Sequence, residues 1–266
     1  MEENQQVVQT KTIILGASSS VIGGRRSQQD RYYLDINESM DNAVAVICDG
    51  MGGMQSGDMA SDLAILRFSE VLNEIRYAQD INIRQSLENA AKEIDREVAS
   101  LTDSSGQTLD TGTTVVSVLI RDGKAWWMSV GDSKIYVIRE GEIFCVVREH
   151  IYLTVLNDLY QEGKISREKY EAEAFRGAGL ISYIGMGEIK LIDSNEQALA
   201  LRDKDVILLC SDGLSNALTD QEIMEVILAN PDSPGYIHHR LQKKAAAASD
   251  MHQDNTTIIS LTCRIL

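Results

Sequence analysis

The order in which strand-like and helix-like segments follow one another constrains this fold most. Short runs rich in β-branched and apolar residues fall at Thr12 to Leu15, Ala43 to Cys48, Thr114 to Ile120, Ala125 to Val130, Lys134 to Ile138, Ile143 to Val147, Val206 to Cys210 and Thr256 to Thr262. Their lengths and composition predict strands. Between the second and third runs lie two consecutive stretches of helical period, Asp58 to Ile75 and Ile81 to Leu101. Ser166 is placed to cap a helix through about Phe175, and Thr219-Asp-Gln-Glu222 opens a capping box for a helix to about Leu228. Gly235 to Ala248 reads as the last helix, with Ala245 to Ala248 in its interior. Strand and helix do not alternate, so a doubly wound parallel sheet is disfavoured. The order predicts an α+β fold of antiparallel sheets covered by helices, the two long ones packed as an antiparallel pair.

Turn chemistry adds detail. Arg121-Asp-Gly-Lys124 carries an Asp-Gly pair between two strands, a strong hairpin signal, and Arg139-Glu-Gly-Glu142 reads as a second tight turn. Residues 113 to 147 are therefore expected to form one antiparallel meander. Trp126 and Trp127 are adjacent in a strand and should point to opposite faces, at least one of them into a core. At 266 residues and 44% hydrophobic, with two prolines and no linker-like tract, the chain is expected to form a single domain spanning residues 1–266.

Charge narrows the function classes. There are 40 Asp and Glu against 25 Lys and Arg, a net charge of −15. Such a surface repels nucleic-acid phosphate and anionic lipid, so neither a nucleic acid nor a membrane is expected as partner. It also leaves carboxylates available to hold cations. No apolar stretch reaches the ~20 residues that span a bilayer, and Met1 to Lys11 lacks the pattern of a signal peptide, so a cytoplasmic location is expected. Cys48, Cys145, Cys210 and Cys263 sit in or beside apolar runs without a CxxC or a Cys/His cluster. They are expected as buried, reduced thiols, and zinc is disfavoured.

Aspartates carry the chemistry. In Val46-Ile-Cys-Asp49-Gly-Met-Gly-Gly53 an apolar strand runs straight into a carboxylate and a glycine-rich turn. The strand fixes the carboxylate, and glycine lets the backbone approach a ligand. A tight turn with a solvated aspartate explains the same residues. Val206 to Leu214 repeats the design at Asp212-Gly213, and Asp254-Asn-Thr-Thr257 stands directly before the last strand. Gly131-Asp132-Ser133 and Arg25-Arg-Ser-Gln-Gln-Asp30 complete the set; each is also explained as a turn or a solvated loop. Carboxylates from distant strand ends can converge at one end of a sheet sandwich, where they would repel one another unless cations neutralise them. Oxygen-only ligands select magnesium or manganese over zinc, and a nearby arginine would grip a phosphate. His238 and His239 fall in the last helix, and His252, just before Asp254, reads as a surface residue.

On these motifs the chain resembles the metal-dependent protein phosphatase 2C family in its bacterial form. Asp-Gly-Met-Gly-Gly at Asp49, Gly-Thr-Thr at Gly112, GDSKIYVIR at Gly131, the segment from Glu149, the Gly185 turn, CSDGL at Cys210 and DNTTII at Asp254 occur in the family's order along nearly the whole chain. The resemblance implies a four-layer αββα sandwich: two antiparallel sheets flanked by helix pairs. It implies hydrolysis of phosphoserine and phosphothreonine in proteins by water activated at a binuclear manganese or magnesium centre. Asp49 would bridge the two metals, the Gly50 carbonyl would ligate one, and Asp212 and Asp254 the other. Asp132 would serve a third ion, Asp30 would act through water or at the edge of the site, and Arg25 or Arg26 would bind the substrate phosphate. Residues 150–184 would form a flap beside the site. The implied partners are phosphorylated proteins and a serine/threonine kinase that the enzyme opposes, and a monomer is expected. The chain departs from the family pattern at Gln28, usually Asn, at Glu149, usually Asp, and at Met51, where animal members carry histidine. Gln28, Gln29 and Glu149 keep open a pseudophosphatase acting as a binding module, and a phosphatase dedicated to one partner-switching phosphoprotein is a further alternative.

Overall fold

In a computed structural model, which describes residues 11–52, 56–249 and 253–266, the most apolar strand organises the rest. This strand is β3 (Ala43–Gly52), whose first six residues are all buried. Both of its faces are covered, so it shows no polar alternation. Val44, Val46 and Cys48 pack under α1 (Gly57–Tyr77) and α2 (Ile83–Ala99). Ala43, Ala45 and Ile47 point the other way, into the space between two sheets. One sheet runs β10 (Leu199–Ala200), β6 (Lys124–Val130), β5 (Val115–Arg121), β3, β2 (Asp30–Ile36), with β4 (Thr111–Thr113) on β3 and β9 (Asp193–Ser194) on β6. The other runs β1 (Thr12–Val21), β12 (Thr256–Ile265), β11 (Val206–Cys210), β7 (Lys134–Arg139), β8 (Glu142–Cys145). Every pairing that builds these two sheets is antiparallel.

The outer face of the second sheet is covered in turn. Val206, Leu208 and Cys210 of β11 pack against α6 (Asp220–Ala229) and α7 (Pro234–Ser249), while Ile207 and Leu209 face the first sheet. The result is the expected αββα sandwich, with three apolar cores between four layers. Each fully buried Val, Leu or Ile contributes roughly 1.5–3 kcal/mol of transfer free energy. Trp126 and Trp127 divide as their alternation requires, Trp126 toward the helices and Trp127 toward the inter-sheet core. Local signals set the helix ends: Asn82 caps α2 by accepting from the Gln85 amide, and the Thr219–Glu222 capping box opens α6.

The meander is corrected. Residues 115–130 and 134–145 form two hairpins as read, with type I′ geometry at Asp122-Gly123 (φ 53° and 67°) and Glu140-Gly141 (φ 54° and 84°). The hairpins lie in different sheets, and the chain crosses between them at Gly131 (φ 111°). A Cβ at Gly131 would sit 2.7 Å from the Thr114 side chain, so only glycine permits the crossing. β2, the two short strands β9 and β10, α3 (Tyr152–Gln161) and the one-turn α5 (Asp212–Ser215) were not expected. The helix capped by Ser166 is α4 (Arg167–Glu173), extended to Arg176 by a 3₁₀ turn. Cys145 is exposed on edge strand β8, whereas Cys48, Cys210 and Cys263 are buried, and all four are free thiols. His238 is buried against the Ser260 hydroxyl at 2.9 Å, and burial lowers its pKa to about 4. His252 and Gly53 lie outside the described residues. No described helix is long and apolar enough to cross a membrane.

Candidate metal centre

Five aspartates lie where elements begin or end at one mouth of the sandwich. Alternation along β3 carries the inter-sheet face from Ala45 and Ile47 on to Asp49. The β2–β3 register sets Asp30 directly opposite Asp49, so both carboxylates share that face. Ile207 and Leu209 of β11 are continued by Ser211, whose hydroxyl donates to Asp30 Oδ2 at 2.8 Å. Asp212 then opens α5, and Asp254 stands just before β12, with Asn255 between. Asp132 sits in the crossover between the sheets. Four of these residues thus surround Asp49 closely enough for their charges to raise its pKa.

The electrostatics follow from that crowding. Burial first, then the charges of Asp30, Asp212, Asp132 and Asp254, push the Asp49 carboxyl well above the usual carboxylate range. Burial, followed by Asp132, Asp254 and Asp30, raises Asp212 to about 7. Asp30 and Asp132 are raised as well, each chiefly by burial. Asp30 and Asp212 both adjoin the Asp49 carboxyl, and carboxyls so close can hydrogen-bond to one another only where one keeps its proton. Asp30 Oδ1 is buried without a partner.

This is a donor set that fits divalent cations. It is made of oxygens alone, it carries more negative charge than its surroundings neutralise, and it has an orphaned buried acceptor. Among the described residues no three His, Cys, Asp or Glu side chains are already closed round one point. The carboxylates crowd round Asp49 instead, and a cation bound among them would have to displace any proton they share. Glycine is obligatory at position 50, because a Cβ there would lie 2.1 Å from the Gly57 carbonyl oxygen.

A layer of neutral residues holds the aspartates; the motifs contain them, but the sequence reading gave them no role. Thr114 Oγ1 accepts from the Asp49 amide at 3.2 Å and shares a 2.8 Å hydrogen bond with Ser133, next to Asp132. Asn255 accepts from the Gln29 amide at 2.8 Å and donates to the carbonyls of Ile22 and Ser27, binding the 22–29 loop to β12. Ser211, Asn255 and Ser133 each adjoin a motif aspartate, and that adjacency was the available signal. Gln28 and Gln29 are built into this scaffold. Gln28 bridges the Ser20 hydroxyl and the Asp30 amide, and the Gln29 carbonyl accepts from Gly50 and Ser61. Arg25 forms an ion pair with Asp254, whereas Arg26 is exposed and has no hydrogen bond or ion pair among the described residues.

Residues 150–184 carry α3 and α4 outside the four layers. A groove of about 470 Å³ separates Met51, Thr111 and Asp132 from Ala178, Leu180 and Tyr183 of that segment. A larger concavity, about 830 Å³, lies between α7 and the Val21–Gly24 stretch, but none of the five aspartates lines it.

A family model described as protein phosphatase 2C matches residues 19–248. The serine/threonine phosphatase stp of Listeria monocytogenes serotype 4b is 25% identical over 194 residues, which are 71% of this chain and 74% of that protein. In fold, the chain resembles the Mycobacterium tuberculosis serine/threonine phosphatase PstP/Ppp, with a TM-score of 0.76 at 23% identity over 94% of this chain and 98% of that one. The catalytic domain of PstP in complex with two manganese ions gives a TM-score of 0.75 at 23% identity, covering 96% of this chain and all of that one (100%).

Proposed function

Because this chain belongs to the protein phosphatase 2C family, we propose that it hydrolyses phosphoserine and phosphothreonine in proteins at the carboxylate cluster around Asp49. The observation that carries the reading is the convergence of Asp30, Asp49, Asp132, Asp212 and Asp254 from separate elements on one mouth of the sandwich. The manganese complex of PstP favours a binuclear centre of manganese or magnesium. Asp49 would bridge its two ions, with the Gly50 carbonyl, Asp212 and Asp254 as further ligands and Asp132 serving a third. When bound, such ions supply the Lewis-acid activation of water that carboxylates alone lack.

The chain's own residues do the rest. Arg25, on the lip of the mouth, exchanges its Asp254 contact for two oxygens of the substrate phosphate. Asp30, steadied by Ser211 and the Gln28 scaffold, stands opposite Asp49 at the edge of the site, where it would act through water. Hydrolysis delivers hydroxyl to phosphorus and a proton to the departing serine or threonine oxygen. Met51 has no proton to give, so that proton comes from water or from another group. Residues 150–184 act as the flap that selects substrates, in a single-domain monomer of the cytoplasm that opposes a serine/threonine kinase. The roles of Gln28 and Gln29 as internal ties weigh against a pseudophosphatase.

Manganese is expected to stimulate hydrolysis of a phosphothreonine peptide, and Asp212→Ala or Asp254→Ala to abolish it. Turnover that persists in excess EDTA would sink the reading. Arg25→Ala should raise KM by about tenfold, the worth of a charge-assisted pair. Arg26→Ala should leave KM within about twofold, as expected of an exposed, unpaired charge. Steady-state kinetics on the two variants decides which arginine meets phosphate.

A further inference from the structure

We infer that His150 is a positioning residue for Asp132, fastening the turn that carries this aspartate to the neck of segment 150–184. The inference rests on the reading of Asp132 as an ion-binding residue. His150 is 4% exposed. Its Nδ1 accepts a hydrogen bond from the Gly131 amide at 3.1 Å, and its own amide donates to the Gly131 carbonyl at 2.8 Å. Its carbonyl accepts from the Ile181 amide at 2.8 Å, and Ile151 bridges Leu180 beside it. One residue thus ties the crossover between the sheets to both arms of the neck.

The turn needs such a tie. Gly131 is in a positive-φ conformation at 111°, packed against the Thr114 side chain. Apart from its own backbone amide, no described residue hydrogen-bonds to the Asp132 carboxylate. Its place is therefore set by its backbone, and the backbone by Gly131. Nδ1 can accept from Gly131 only in the tautomer protonated at Nε2. Leu180 and Ala178, just beyond the neck, line the groove that faces Asp132. A substrate that presses on this wall acts on His150 and, through it, on Asp132.

The test compares His150→Phe and His150→Leu, which fill the space without an acceptor, with His150→Asn, whose Oδ1 stands near the place of Nδ1. All are made in the full chain and checked for folding by circular dichroism. Hydrogen exchange is measured without metal. The Phe and Leu variants should exchange the Gly131–Ser133 amides at least about tenfold faster, as expected when a buried hydrogen bond is lost. The Asn variant should stay within about threefold of the parent. In a calorimetric titration with manganese, the weakest binding step should weaken about tenfold in Phe and Leu and recover in Asn, with the tighter steps unchanged. Equal exchange at Gly131–Ser133 in all four chains overturns the fastening. Faster exchange with unchanged manganese binding overturns the positioning of Asp132. If the parent chain itself neither binds manganese nor turns over phosphopeptide, the phosphatase reading fails, while the exchange contrast still decides whether His150 holds the turn.

Discussion

Asp49→Asn is expected to lower phosphopeptide turnover by about a thousandfold or more, roughly 4 kcal/mol of transition-state stabilisation, and yet to raise the thermal midpoint of the chelator-treated protein. The two effects share one cause. Asp49 is pressed by burial and by four other carboxylates, and its pKa is held far above the ordinary 3.8. Where a carboxyl binds protons more tightly in the folded than in the unfolded chain, stability is fully present below the unfolded pKa. It is then lost as pH rises through the folded value. For Asp212 that window runs from the ordinary 3.8 to about 7. The metal-free protein should therefore lose stability as pH climbs across this range. Asparagine replaces a carboxyl whose raised pKa makes folding depend on pH, so the variant's stability should depend less on pH. Divalent cations should rescue the parent, by about 2.7 kcal/mol at a hundred times Kd, and rescue the variant far less. Thermal melts at three pH values, with and without manganese, check this. A variant less stable than the parent in EDTA at neutral pH would contradict the account.

The second large effect is on stability alone. Asp95 of α2 is 1% exposed. Its Oδ1 accepts from the Gly185 and Gly187 amides at 2.8 and 3.2 Å, and its Oδ2 from the Ile189 amide at 3.1 Å. These three donors lie in the loop that follows Ile184, and Ile184 pairs with Thr113 beside the aspartate mouth. Asp95→Ala leaves three backbone donors short of a partner and should cost about 3–5 kcal/mol. Asp95→Asn should recover only part of it, because one oxygen becomes an NH₂ group facing an N–H. Urea denaturation measures both; an alanine variant within 1 kcal/mol of the parent, on the scale of an ordinary surface change, would refute the loop's dependence on this carboxylate.

Some of this was legible along the chain because its causes are local. Asp122-Gly123 and Glu140-Gly141 each place a glycine in a tight turn between two apolar runs and take the positive φ that the turn requires, so two hairpins could be read from four residues. The capping box at Thr219 and the helical periods of α1 and α2 are local in the same way. Other elements were hidden because their partners are remote. Ser18, Ser19 and Ser20 have little strand preference, yet they extend β1 because β12 offers a full partner, with Ser20 hydrogen-bonded to Thr257 at 2.8 Å. β2 was not read as a strand, and its pairing with β3 from Asp30 to Ile36 is what sets it.

The same division holds at the site. An apolar run that meets a carboxylate and a glycine determines, by itself, that Asp49 and Asp212 lie where a buried strand gives way to a turn, because the apolar run must be covered on both faces and the glycine lets the chain change direction. The fold class likewise follows from the order of periods along the chain. Only the tertiary structure decided that the 115–145 strands divide between two sheets at Gly131, because each hairpin turns toward whichever core buries its apolar face, and that choice depends on the remote strands β3 and β11 with which the hairpins pair. Only it decided that Asp30 faces Asp49, that Arg25 rather than Arg26 meets Asp254, and that His150 holds the Asp132 turn. Those are contacts between residues far apart in the chain, and neither spacing nor propensity encodes them.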